Sequence, residues 1–198
     1  VEALAVQGDV GEDAACRGLA KAAIDAWGRI DYLINNAAKT KYNPYPKLDG
    51  LTADDFLSIY KVNVVGVYQM VRAVEPHMRK QGGAIANTSS IGGVTGIASS
   101  IPYAASKAAL NLMTKSLAHV LAPEIRINTV VPGVIATRWL RGGMDEAAYE
   151  KFIDETAAQL PLKQVSTPDE VAEALVWFCV GAPLITGETL ITDSGLHL

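Results

Sequence analysis

A tyrosine and a lysine, Tyr103 and Lys107, lie four residues apart at the start of a predicted helix, thirteen residues after Ser90. Residues at i and i+4 share one face of a helix, so the Lys107 ammonium is expected near the Tyr103 phenol. A nearby cation favours the phenolate and is expected to lower the pKa of Tyr103 from its ordinary value of about 10. Such a tyrosine exchanges a proton with an alcohol or a carbonyl near neutral pH.

A tyrosine and a lysine at this spacing also occur by chance on exposed helix faces, where they have no catalytic role. The catalytic interpretation depends on Ser90, which lies just after the strand-like run 84–88. Ser89 is an alternative hydroxyl, and the spacing to Tyr103 favours Ser90.

Strand-like apolar runs alternate with helical patterns along the chain. The predicted strands are 4–7, 31–35, 84–88, 125–131 and 188–193, and the predicted helices are 12–27, 52–80, 102–121, 146–159 and 167–179. This alternation predicts a single α/β domain over 1–198, with a largely parallel sheet covered by helices on both faces.

Composition excludes several classes of protein. With 49% hydrophobic and 19% charged residues, the chain is expected to be soluble and globular rather than disordered. The formal net charge of -4 and the absence of a basic run disfavour nucleic acid as a partner. No apolar run reaches the roughly 20 residues that span a bilayer, so no membrane is expected. The three histidines are scattered without metal-ligand spacing, and Cys16 and Cys179 are expected to be buried packing residues.

Motifs along the whole chain resemble those of the short-chain dehydrogenases/reductases, most closely their 3-oxoacyl-carrier-protein reductase-like branch. They follow one another in the order and spacing of that family: Asp9-Val10, Asn35-Asn36-Ala37-Ala38, Asn63, Ser90, Tyr103-x-x-x-Lys107, Asn128, Pro132-Gly133 with Thr137, and Ile185-Thr186-Gly187-Glu188. The resemblance implies a three-layer, Rossmann-type doubly wound parallel sheet.

The resemblance also implies four catalytic roles. Tyr103 would be the general acid in carbonyl reduction and the base in alcohol oxidation, with Lys107 lowering its pKa and holding the nicotinamide ribose hydroxyls. Ser90 would hydrogen-bond the substrate oxygen, and Asn63 would position a water that relays protons toward Lys107. The reaction would interconvert a secondary alcohol and a ketone by hydride transfer.

The implied cofactor is NAD or NADP. Asp9 and Val10 would contact its adenine. The rest of the cofactor would contact a further group of residues: Asn36, Ala37, Tyr103, Lys107, Pro132, Gly133 and Thr137. For some of these positions a purely structural role is the alternative. Asn36 could satisfy buried backbone groups, and Asn63 could be a polar helix residue without a catalytic role. Pro132-Gly133 could simply end a strand. A purely structural role is favoured for Asn128.

Members of the family normally open with a strand and a glycine-rich turn that cradles the pyrophosphate, and no such turn precedes Asp9. At about 30 residues per βαβ unit, roughly 50 residues would be absent, so the sheet is expected to be N-terminally incomplete. Strand 4–7 would then lack a neighbour, and strand 31–35 would form an open edge.

The resemblance extends to substrate and assembly. Residues 138–161 are expected to form a substrate lid with apolar side chains that include Trp139 and Phe152. A homo-oligomer, either a dimer or a tetramer, is expected to form through two long helices, because they carry more apolar residues than are needed to pack against one face of the sheet. A cytoplasmic location is also expected. The alternative function is a catalytically inactive, cofactor-free module of the same fold; an epimerase of the extended relatives is less favoured.

Overall fold

The protein is described from a computed structural model that covers residues 1–142 and 144–198. Its sheet has four parallel strands that neighbour one another in chain order. They are β1 (Tyr32–Asn35), β2 (Gly83–Thr88), β3 (Ile125–Pro132) and β4 (Thr189–Thr192). Because parallel strands all end at one edge, the segments that follow them converge there.

The helices carry the connections between these strands. They are α1 (Asp13–Trp27), α2 (Ala53–Tyr60), α3 (Val67–Met78), α4 (Gly92–Thr95), α5 (Ile101–Leu121), α6 (Arg138–Arg141), α7 (Glu146–Gln159) and α8 (Pro168–Val180). Capping boxes at Thr52 and Thr167 confirm where the predicted helices 52–80 and 167–179 begin.

Two hydrophobic clusters cover the two faces of the sheet. On one face, α1, α3 and α5 pack against strand residues such as Ile85 and Ile127. On the other face, α8 packs Val171, Leu175 and Phe178 against Ala86 and Val130, among others. The arrangement confirms the three-layer α/β fold. Cys16 and Cys179 are both buried within these clusters and carry free thiols.

The predicted helical region 52–80 is confirmed, since the backbone is helical from Ala53 to Met78. A π-helical segment, Lys61–Gly66, separates α2 from α3. Gly66 lies against the chain at Val10, where an added Cβ would stand 2.9 Å from Val10 Cγ2. The π-helical segment and the small residue thus place the helix directly against the segment that precedes α1.

The prediction of a strand at 4–7 is wrong. Residues 1–8 are exposed and form no strand, because no strand in the described part of the chain lies beside them to pair with their backbone. The strand β1 forms one edge of the described sheet, with Tyr32 50% and Ile34 42% exposed.

Within the predicted lid 138–161, the structure contains α6 and α7, and residue 143 lies outside the described residues. None of the helices in the described ranges is long and apolar enough to cross a membrane.

Candidate active site

Ser90 is placed by the end of strand β2. The backbone hydrogen bonds between β2 and β3 continue past the end of β2, since Ser89 N donates to Val130 O at 2.8 Å and Ile91 N donates to Pro132 O at 2.8 Å. Between these two anchors, the Ser90 hydroxyl accepts a hydrogen bond from Gly92 N at 3.2 Å. The backbone on either side of Ser90 is therefore fixed to the central sheet.

Tyr103 and Lys107 lie on the first two turns of α5, with Pro102 in the first turn where a missing N–H costs nothing. The expected pairing is confirmed: Lys107 Nζ lies 5.7 Å from the centroid of the Tyr103 ring. Lys107 is 2% exposed, and its ammonium donates to the backbone oxygen of Thr88 at 2.8 Å.

Burial dominates the electrostatics of this pair. Burial lowers the pKa of Lys107 to about 8, since a desolvated ammonium is disfavoured. Burial also raises the pKa of Tyr103, and the hydrogen bond with the Ser90 hydroxyl acts in the opposite direction. The prediction that the pKa of Tyr103 is lowered is therefore wrong, because desolvation of the phenolate outweighs the hydrogen bond with the Ser90 hydroxyl.

A close contact at a glycine, which the sequence analysis missed, brings α4 against the Tyr103 helix. A Cβ added at Gly93 would stand 2.7 Å from the carbonyl carbon of Lys107 and 2.8 Å from the nitrogen of Ala108. Only a residue without a side chain permits this approach of α4 to α5. The glycine pair Gly92-Gly93, two residues after Ser90, was the available signal.

Asn63 is fully buried in the π-helical segment. Its Oδ1 accepts from Lys39 N at 2.7 Å, and its Nδ2 donates to Lys39 O and to Ser106 Oγ, each at 2.9 Å. The side chain thus ties the segment after β1 to helix α5. Its role in a proton relay stays a prediction.

The expected adenine-side residues precede α1. Asp9 Oδ1 accepts from Gly11 N at 2.8 Å, which closes a turn around the exposed carboxylate. The backbone oxygen of Val10 accepts from Gln69 Nε2 at 2.8 Å and from Cys16 Sγ at 3.2 Å. These bonds attach the Asp9-Val10 segment to α1 and α3.

The other predicted cofactor residues follow the ends of strands. Asn36 and Ala37 are exposed just after β1, and Pro132 is buried at the end of β3. Gly133 lies against β4, where an added Cβ would stand 2.8 Å from Asp193 Cβ. Thr137 is the N-cap of α6, and its backbone oxygen accepts from the Tyr149 hydroxyl at 3.3 Å.

Beneath this edge lies a buried polar network that the sequence analysis did not predict. Asn35 Nδ2 donates to Asn87 Oδ1 at 2.9 Å, and Asn87 Nδ2 donates to Thr114 Oγ1 at 3.0 Å. Thr129 Oγ1 donates to Thr114 Oγ1 at 2.8 Å. The network joins three strands to α5.

The structural role favoured for Asn128 is confirmed. Its side chain donates to Ile185 O and accepts from Glu188 N, each at 2.9 Å, and so holds the turn before β4.

The donor set at this edge suits a nicotinamide ribose. Lys107 has three N–H groups, and the hydrogen bond to Thr88 O accounts for one of them. The Tyr103 phenol and the ammonium lie together on the first turns of α5, above the strand ends where ligands of open α/β sheets bind. A hydroxyl, a phenol and an ammonium at one sheet edge define a site for acid–base chemistry on an alcohol or a carbonyl.

Comparison with known proteins agrees with a site that acts on an alcohol or a carbonyl. The family described as "Enoyl-(Acyl carrier protein) reductase" matches residues 1–197. A putative ketoacyl reductase of granaticin polyketide synthesis from Streptomyces violaceoruber is 37% identical over 198 residues, which cover 100% of this chain and 78% of the relative. The chain belongs to the short-chain dehydrogenase/reductase family.

Solved structures give the same result. A putative short-chain dehydrogenase/reductase from Burkholderia xenovorans is 38% identical with a TM-score of 0.89, over 98% of this chain and 76% of that one. ElxO with NADP bound is 30% identical with a TM-score of 0.86, over 96% of this chain and 76% of that one. An NAD⁺-bound xylitol dehydrogenase is 26% identical with a TM-score of 0.82, over 96% of this chain and 78% of that one. This chain is accordingly an NAD(P)-dependent oxidoreductase that interconverts alcohol and carbonyl groups.

Proposed function

We propose that the protein interconverts a secondary alcohol and a ketone, with Ser90, Tyr103 and Lys107 as its catalytic residues. The observation that carries the proposal is the position of the buried Lys107 ammonium, 5.7 Å from the Tyr103 ring and within a hydrogen bond of the strand that delivers Ser90. NAD or NADP, when bound, supplies or accepts the hydride.

In the reducing direction, the Ser90 hydroxyl donates a hydrogen bond to the carbonyl oxygen, and the Tyr103 phenol donates its proton to that oxygen as negative charge develops there. The raised pKa of Tyr103 keeps the phenol protonated at neutral pH, as an acid requires. In the oxidising direction, the phenolate accepts the alcohol proton, and the positive charge of Lys107 stabilises it.

Asn63 acts in this proposal as a positioning residue beside the water relay. It holds Lys39 through both backbone groups and reaches α5 through Ser106, three residues after Tyr103. The cofactor contacts proposed for Asp9, Val10, Asn36 and Ala37 rest on the family resemblance and on their location before α1 and after β1.

Residues 138–161 are proposed to form a lid over a substrate with an apolar part, within a single domain. Support comes from α7, since none of its 14 residues is buried, and from Trp139, which is 50% exposed. A helix that buries little of its own surface is suited to closing over a ligand. Pro132, Gly133 and Thr137, which precede this range, are proposed to face the nicotinamide.

A cytoplasmic homo-oligomer is proposed by resemblance to the family. The apolar residues of α3 and α5 expected at the interface are in fact largely packed into the core, including Val71, Val74 and Leu110. The exposed large apolar residues on these helices are Tyr68, Leu112 and Val120, between 46% and 67% exposed. Sedimentation equilibrium checks the assembly.

The function is tested with Tyr103→Phe, which removes the phenolic proton and keeps the ring. We expect kcat to fall by a factor of about 10² to 10⁴, the size of a general acid–base contribution. The matched control is Tyr32→Phe on the exposed edge strand, which is expected to leave kcat unchanged. Unchanged turnover in Tyr103→Phe would remove the catalytic assignment, and failure of both NAD(H) and NADP(H) to bind by calorimetry would favour the inactive module.

A further inference from the structure

A segment outside the catalytic residues is hydrogen-bonded to the loop that leads into the Tyr103 helix. We call this set of hydrogen bonds the clasp. We call residues 39–45, after β1, the outer segment and residues 96–100, between α4 and α5, the connecting loop. The Tyr45 hydroxyl donates to Gly96 O at 2.6 Å and accepts from Ala98 N at 2.9 Å. One phenol thus satisfies a backbone acceptor and a backbone donor of the connecting loop.

Further bonds reinforce this clasp. The hydroxyls of Thr40 and Ser99 are 2.6 Å apart, and Asn43 N donates to Ser99 O at 2.9 Å. Asn43 is itself 7% exposed, and its side chain donates to Lys47 O at 2.8 Å, which stiffens the outer segment. The connecting loop is therefore held from outside along much of its length.

The connecting loop matters because it is the covalent path from Ser90 to Tyr103. Gly96 ends α4 in a left-handed conformation with φ of 78°, and Ser100 is the N-cap of α5. Ser100 is fully buried, yet its side chain makes no capping hydrogen bond. A helix start without a side-chain cap depends on tertiary contacts for its position, and the outer segment supplies them.

We propose that Tyr45 is a positioning residue for the catalytic pair: its hydroxyl fixes the connecting loop so that Tyr103 stands beside Ser90. This inference rests on the proposed function, because it assigns the purpose of the clasp to the placement of the acid. The outer segment is also held at its start by Asn63 through Lys39. The clasp thereby links the end of β1 to the first turn of α5.

Tyr45→Phe tests the proposal, because it removes both hydrogen bonds and keeps the ring. We expect kcat to fall by about tenfold to a hundredfold, as misplacement of a reacting group does, with KM for the cofactor unchanged. The kinetic isotope effect with deuterated nicotinamide is expected to rise, since the chemical step becomes slower relative to product release. Tyr42→Phe, in the same segment and 78% exposed, is the matched control and is expected to behave as the wild type.

A second readout does not need turnover. With ¹³Cζ-labelled tyrosine, the Tyr103 resonance is assigned from its loss in Tyr103→Phe and titrated by NMR. In Tyr45→Phe the midpoint is expected to fall toward about 10, because a loosened connecting loop admits water to the phenol. Tyr42→Phe is expected to leave it in place.

The outcomes separate the two proposals. If the wild type shows no turnover of alcohols or ketones, the proposed function fails, and a lowered Tyr103 midpoint in Tyr45→Phe still supports the positioning role. Normal kcat and an unmoved midpoint in Tyr45→Phe overturn the positioning role alone. Should Tyr45→Phe fail to fold by circular dichroism, Thr40→Val, which loses only the bond to Ser99, is expected to show a smaller fall in kcat, and wild-type values there overturn the proposal.

Discussion

The ammonium of Lys107 donates a hydrogen bond to the backbone oxygen of Thr88, 2.8 Å away, from a side chain that is 2% exposed. A buried charge is costly unless it is paired, and within the described residues its partner is this neutral carbonyl. The strand therefore holds the cation in place beside Tyr103 without neutralising it. A cation kept in this state is available to stabilise a phenolate and to hold the ribose.

The first prediction concerns Lys107→Met and pH. The pKa of Lys107 is about 8 in the folded chain against 10.5 ordinarily, so between these values the unfolded chain binds a proton that the folded chain does not. Stability of the wild type therefore gains from this group as pH rises from 8 toward 10.5 and gains nothing below pH 8. We expect the free energy of unfolding, wild type minus variant, to increase by about 2 kcal/mol between pH 8 and 10.

Urea denaturation across this pH range measures that difference. Comparison with the variant cancels groups that lie away from Lys107, such as the buried thiols of Cys16 and Cys179, whose pKa values burial raises in both proteins. Lys115→Met, on the same helix but exposed, is the control and is expected to show no such slope. A difference that stays constant from pH 8 to 10 would contradict the burial effect.

The second prediction concerns Gly93. In Gly93→Ala the new methyl group would meet backbone atoms of Lys107 and Ala108 at less than 3 Å, so α4 must move away from α5. We expect a loss of about 1–3 kcal/mol in stability, as for overpacking, together with a fall in kcat because α5, which carries Tyr103 and Lys107, shifts relative to Ser90. Stopped-flow hydride transfer and thermal unfolding measure the two effects.

Gly18→Ala is the matched control for this substitution. Gly18 lies inside α1, and an added Cβ there meets nothing within 4 Å. Alanine at that place is expected to raise stability by about 1 kcal/mol through helix propensity and to leave kcat unchanged. If both variants behaved alike, the close approach at Gly93 would not be what positions the Tyr103 helix relative to Ser90.

The sequence predicted those parts of the site that depend on local spacing. The four-residue interval from Tyr103 to Lys107 places both side chains on one helix face, and the structure confirms this. The direction of the Tyr103 pKa could not be predicted in the same way, because burial depends on contacts with distant segments. The strand expected at 4–7 fails for a related reason: an extended apolar run forms a strand only where another strand pairs with its backbone.

Contacts that join distant segments were also outside the reach of sequence patterns. Tyr45 lies in a stretch with no recognisable motif, and its two bonds to the connecting loop cross more than fifty positions of sequence. Asn87 and Thr114 read as ordinary residues of a strand and a helix, yet they form the centre of a buried network. Polar residues inside apolar elements were the available signal, since such groups are buried only when they are hydrogen-bonded.

The last prediction concerns that network and uses Thr114→Val, which preserves shape and removes one hydroxyl. The Thr114 hydroxyl accepts from Asn87 Nδ2 and Thr129 Oγ1 and donates to Leu110 O at 3.0 Å. Without it, two fully buried donors lose their acceptor, which costs about 1–3 kcal/mol for each group. We expect chemical denaturation to show a loss of about 2–4 kcal/mol in the free energy of unfolding. The matched control is Thr156→Val, where the hydroxyl donates only to Phe152 O in its own helix, and a much smaller change is expected there.

Equal changes in the two variants would mean that the network adds nothing beyond the local helix bond. The larger loss in Thr114→Val would mean that the buried donors of Asn87 and Thr129 depend on this hydroxyl for their hydrogen bonds.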